Sequence, residues 1–234
     1  MESLSSLLRA LAGSDYLAVL VLFGAWTGYA HFARRRSVMQ PSVLAATNRE
    51  RTRWMLQATW RDNRVIDGVV VQNLSTSPSF FASTTILIIG GLLAVLSSEE
   101  RASELVREIP FAARSSLLVF DLKIVLLLAI FVFAFFRFTW SLRQYSFGAI
   151  LVAAAPDHTQ FATDEQRGQF ADRAGRVMGL AAETFNDGLR GYYFAFAGTA
   201  WFFSPWAMIA ATAGVVGILY AREFRSEVLA VLNG

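Results

Sequence analysis

Four long stretches of this chain are almost free of charge, and they restrict its fold more than any other feature. They run over 16–33, 79–97, 117–140 and 193–220. Each holds roughly 17–25 mainly apolar residues, which at about 1.5 Å of helix per residue is enough to cross a hydrocarbon core of about 30 Å. One such stretch is compatible with a buried helix in a soluble core; four in 234 residues are not. The chain is 55% hydrophobic and only 17% charged, whereas a soluble domain carries about 25% charged residues. The sequence therefore describes an all-α integral membrane protein with four transmembrane helices, residues 1–234 forming a single membrane domain. Positive charges follow the first stretch instead of preceding it, and no small-residue cleavage site appears. It reads as a span, not as a secretory leader.

Composition also removes several chemistries. Without cysteine there is no disulfide, thiolate nucleophile or Cys-ligated metal site. His31 and His158 are the only histidines, which argues against a multi-histidine centre or a histidine-ligated haem pair. No metal and no cofactor are expected. The net charge of +3 does not point to nucleic acid, because no basic run exceeds Arg34-Arg35-Arg36 and the arginines are interleaved with acids. No phosphate-binding glycine loop, GxSxG elbow or HExxH is present, so no catalytic residue is assigned.

Loop charge sets the orientation, because cytoplasmic connections are enriched in Lys and Arg. The first connection holds Arg34, Arg35, Arg36, Arg49, Arg51, Arg53, Arg61 and Arg64. The second is acidic, with Glu99, Glu100, Glu104 and Glu108, and the third is basic again, with Arg143, Arg167, Arg173, Arg176 and Arg190. The first and third connections are thus cytoplasmic and both termini lie outside.

Two cytoplasmic segments, 47–76 and 157–191, have the pattern of amphipathic helices. Thr47-Asn48-Arg49-Glu50 has the form of a capping box, predicting one helix over 48–75. Ser77-Pro78 then fits an N-cap and first helical residue for the second span. Pro156-Asp157-His158 breaks the chain after the third span, and Thr163-Asp164-Glu165-Gln166 opens a helix expected to end near Gly191.

Between Trp60 and Ser98 the pattern becomes specific. Asp62-Asn63, Val71-Gln72, Asn73 and the Ser/Thr-rich run from Ala82 to Thr85 resemble the domain-of-unknown-function family numbered 599, found in bacteria and plants. The resemblance continues through Leu122–Pro156 and Phe170–Tyr220. It implies a four-span membrane family, here in a bacterial cytoplasmic (inner) membrane, without an agreed activity, and supplies no catalytic residues.

The polar residues near or inside the apolar stretches are the candidate site. Asp62, Asn63 and Asp67 on the first cytoplasmic helix, with Asn73 nearer the membrane, form either a polar mouth for a cation or small solute or a structural network. Thr84, one face with Gly91, lines either a narrow path or a helix–helix contact. Asp121 and Arg137 lie within the third stretch, where burying charge is costly; Asp187 is the expected partner of Arg137, and Arg190 that of Asp62. Pro205 is a candidate hinge in the fourth stretch. Two functions fit: a homo-oligomer forming a channel for ions or small solutes, or a non-catalytic accessory or scaffold subunit bound to partner membrane proteins. Both place the chain in the lipid bilayer.

Overall fold

The computed structural model describes residues 11–98 and 116–233. Among the described residues the chain is helical, with no strand. The helices are α1 (Gly13–Met39), α2 (Val43–Ala58), α3 (Val65–Ser97), α4 (Leu117–Ala153), α5 (Asp164–Thr199), α6 (Pro205–Phe224) and α7 (Glu227–Asn233). A 3-10 turn, Ala200–Phe202, separates α5 from α6. Four stretches are long and apolar enough to cross a membrane: Gly13–Arg36, Val65–Ser97, Leu117–Ala153 and Pro205–Asn233. The acidic residues Glu99 to Glu108, used above for orientation, lie outside the described residues.

Local chemistry moves several expected boundaries. The helix expected over 48–75 is two helices. α2 starts earlier, at an N-cap Ser42 whose Oγ accepts the Ala45 N–H at 3.1 Å. Thr47 is no cap: it lies inside the helix, and its hydroxyl bonds back to the Val43 carbonyl at 2.8 Å. α2 stops at Ala58, and Asn63 accepts the Val65 N–H at 2.9 Å to open α3, the local side-chain bond that lets Asn compete with a continuous helix. Pro78, expected to start a span, is buried in the interior of α3.

The C-terminal half differs likewise. Thr163 does cap α5, its Oγ1 accepting the Gln166 N–H at 3.2 Å while Gln166 reaches back to the Ala162 N–H at 3.1 Å. Gly191 does not end this helix. A Cβ there would meet Ala134 and Trp26 at 3.5 Å, an ordinary contact distance; the glycine lies inside the helix, and α5 runs on to Thr199. The apolar stretch 193–220 is therefore not one helix. Ser204 caps the next, accepting the Ala207 N–H at 2.9 Å, and Pro205 occupies its first position, where the missing N–H has no intrahelical partner to lose.

The described residues fall into two compact units. The first comprises 11–34, 84–98, 116–134 and 189–220. Its core is aromatic: Trp26 meets Phe133 edge-on at 5.0 Å and stacks on Phe194 at 5.7 Å, and Phe131 meets Tyr192 edge-on at 5.1 Å. Two polar pairs inside it are bonded, Thr85 with the Tyr192 hydroxyl at 2.7 Å and the Trp201 indole to Asp15 at 2.7 Å. Lys123, the chain's one lysine, is buried beside the rings of Trp201 and Phe202, 5.6 and 5.5 Å from their centroids.

The second unit comprises 35–83, 135–188 and 221–233. Met55, Val71, Tyr145, Phe170, Ala174 and Met178 belong to its apolar core. α2 and α5 approach closely across glycine: a Cβ on Gly175 would stand 2.7 Å from the Thr52 Cα, and one on Gly179 3.0 Å from the Asn48 Oδ1. Small residues four apart permit such backbone approach, as in membrane helix pairs. Ser141 seals a second contact by donating to the Ala181 carbonyl at 2.7 Å.

Candidate functional site

The polar candidates of the second unit divide between closed and open arrangements. Asp67 is fully buried near the start of α3. Its Oδ1 accepts the Trp54 indole N–H at 2.7 Å and an Arg61 guanidinium N–H, while Oδ2 is enclosed without a hydrogen-bond partner. This carboxylate ties the end of α2, the turn 59–64 and α3 together. Arg137 of α4 and Asp187 of α5, expected as partners, form an ion pair. Arg51 is committed too, donating to Asn48 at 2.7 Å and Thr47 at 3.1 Å. Burial pulls its guanidinium below the usual range, opposed by Tyr145 and Glu183.

The turns 59–64 and 154–163 are cross-tied by two arginines. Arg64 donates to the carbonyls of Ala58 at 3.1 Å, Ala155 at 2.8 Å and Pro156. Arg167, with its guanidinium carbon 3.8 Å from the Trp60 ring centroid, donates to the carbonyls of Thr59 and His158, both at 2.6 Å. The Arg190 guanidinium sits over the Tyr29 ring at 5.9 Å. Asp62 faces the second turn, its Oδ1 3.6 Å from His158 Nδ1, which in turn lies 3.2 Å from Asp157 Oδ1. Hydrogen bonds from the Thr159 N–H and hydroxyl hold the Asp157 carboxyl below the usual carboxylate range. Asp62, Asp157 and His158 are the one group among the described residues that sets three His or carboxylate ligands within 4.8 Å of one another. Asn63 shares no helical face with Asp67, because it caps α3 from the turn.

On α3, Gln72, Thr76, Ser79 and Ser83 are exposed. At 100° per residue they fall within about 60° of one another, and Gly90 lies on the same register. Asn73 is exposed beside this stripe and Thr84 is half-buried. Of the most apolar stretch of α3 only 11% is buried, against 44% in α4. In the first unit, Asp121 is half-buried and its Oδ1 is enclosed without a hydrogen-bond partner.

The family described as "Protein of unknown function, DUF599" matches residues 17–228. The chain belongs to that family. Comparison with curated proteins and with solved structures finds no match. Membership in DUF599 brings no activity with it, so the roles of single residues have to be argued from geometry. Sequence reasoning missed three groups in this DUF599 chain: the Asp157–His158 pair facing Asp62, the carbonyl ties of Arg64 and Arg167, and the glycine contact of α2 with α5. The first was detectable only as the Pro-Asp-His turn. The last had a signal, Gly175 and Gly179 four apart.

Proposed function

We propose that this DUF599 protein is a homo-oligomeric membrane protein providing a path for ions or small polar solutes, with the polar face of α3 turned toward a neighbouring copy. The observation that carries this reading is the exposed stripe Gln72, Thr76, Ser79 and Ser83 on a helix long enough to span and barely covered by its own chain. Polar side chains on a span are poorly matched to lipid and are stabilised facing protein or water, and small hydroxyl residues suit close helix approach. One chain with four spans encloses little volume, so symmetry between copies supplies the remaining wall. We place the protein in a bacterial cytoplasmic membrane with both termini outside, following the arginine distribution; labelling of Arg176→Cys by an impermeant maleimide in inverted but not in intact vesicles tests that orientation.

Reconstitution into liposomes tests the path. Flux of monovalent cations, anions or a small neutral solute above the protein-free rate is expected, and Ser83→Leu, which leaves the cores of both units untouched, should lower it several-fold. Protein-free rates for all three solute classes, from protein that is oligomeric in the same membranes, would refute the proposal. One observation favours a second reading, the accessory subunit: Asp67 and Asp187, two of the candidate pathway carboxylates, are used up in internal pairs with Arg61 and Arg137. Absence of flux together with stoichiometric co-purification of other membrane proteins would select it.

A further inference from the structure

We infer that Asp62, Asp157 and His158 form a binding site for a first-row divalent cation of the zinc, cobalt or manganese type. With two histidines and no cysteine, composition alone points to no metal. The fold changes this by bringing one carboxylate from the turn 59–64 to a carboxylate and an imidazole from the turn 154–163. The ligand atoms lie within 4.8 Å of one another. His158 Nδ1 stands 3.6 Å from Asp62 Oδ1 and 3.2 Å from Asp157 Oδ1, near the separation of about 3.4 Å between tetrahedral ligands at bond lengths of about 2.1 Å. Asp62, whose side chain is 88% exposed, can adjust to an ion by rotating about its own bonds.

Three features separate this group from a chance cluster of surface acids. First, its ligand set is mixed: one imidazole and two carboxylates suit intermediate first-row cations, whereas oxygen-only sets suit calcium or magnesium. Second, His158 Nδ1 is enclosed and has no hydrogen-bond partner, although two carboxylate oxygens lie within 3.6 Å of it. Third, the turns are held before any ion arrives. Arg167 bonds to carbonyls on both turns, at Thr59 and at His158, and Arg64 bonds to Ala58 on one side and to Ala155 and Pro156 on the other. Both arginines are thus directed at backbone oxygens, and Asp157 is further fixed by its bonds from Thr159 at 3.0 and 2.8 Å. Pre-fixed ligands lose less conformational freedom on binding, which is what gives a three-ligand site useful affinity. The remaining coordination positions face solvent and would take water.

A cation here would bridge the entry of α3 to the end of α4, within one compact unit. The site stands independently of any permeation path and survives the loss of that reading.

Isothermal titration of the full-length protein in nanodiscs, purified without a polyhistidine tag and stripped with chelator, tests the site with Co2+, Zn2+ and Mn2+. One equivalent of saturable binding is expected, accompanied for Co2+ by d–d absorption bands. Asp62→Asn, Asp157→Asn and His158→Gln should each weaken it by roughly tenfold or more. Asp157→Asn retains an acceptor for the Thr159 N–H, so the turn persists and lost binding reports the lost ligand charge, with circular dichroism verifying the fold. Mg2+ should compete poorly. Absence of saturable binding at millimolar metal, or equal binding by the parent and all three variants, overturns the proposal.

Discussion

Gly168 and Gly175 lie two turns apart on α5, and replacing each by alanine should have opposite effects. At Gly168 an added methyl meets nothing within 4 Å. There the change removes backbone freedom from the unfolded chain and raises helix propensity by about 0.8–1 kcal/mol. At Gly175 the same methyl would stand 2.7 Å from the Thr52 Cα and 3.1 Å from its nitrogen, where ordinary contact begins at 3.4 Å. Its neighbour is backbone and cannot rotate aside, so α2 and α5 must separate. Overpacking of this kind costs about 1–3 kcal/mol, which equals or exceeds the propensity gain. The two variants should therefore differ by roughly 1–3 kcal/mol, with Gly175→Ala the less stable. At about 2–4 °C per kcal/mol for a chain of this size, their unfolding midpoints in one detergent should lie roughly 5 °C apart. Fluorescence-monitored thermal scans at a fixed rate would measure the difference. Equal midpoints, or a higher one for Gly175→Ala, would refute the glycine-mediated contact of α2 with α5.

Two further outcomes follow from the polar groups. Asp67→Ala removes the shared acceptor of Trp54 and Arg61. Because the Arg61 side chain is 40% exposed and can turn to water, the loss should be about 1–3 kcal/mol, less than the 3–5 kcal/mol expected for a wholly enclosed pair; thermal scans read it, with a shift in tryptophan emission as Trp54 is released. Asp157, with its carboxyl depressed by Thr159, contributes stability above the unfolded aspartate value of 3.8. That contribution is lost as pH falls through the lower folded value, so the Thr159 amide resonance should titrate below pH 3.8 and the titration should vanish in Asp157→Ala.

The sequence disclosed those features that act over one turn of helix or over the length of a span. Long charge-free runs marked the apolar helices, and Thr163 with Gln166 marked the start of α5 because a capping box needs nothing beyond four residues. The same four-residue pattern misled at Thr47, where Ser42 had already begun the helix and the threonine hydroxyl found a carbonyl behind it. Pro78 and Gly191 misled for a shared reason. Both are usual helix punctuation, yet each lies inside a long helix, Pro78 buried within α3 and Gly191 in ordinary contact with Ala134 and Trp26. Arg137 and Asp187 could be matched across 50 residues because each was an isolated charge bordering an apolar run. Asp62 and His158 could not, since their approach depends on where two turns fall after α2 and α4 have packed.

The proposed path requires the polar face of α3 to meet a second copy, and the chain's lack of cysteine makes a direct test possible. Single cysteines at Thr76, Ser79 and Ser83 should each give intermolecular disulfides on mild oxidation in native membranes, whereas one at Phe136, exposed on α4, should not. Oxidised α3 variants that stay monomeric, or cross-linking as efficient from Phe136 as from α3, would contradict the account.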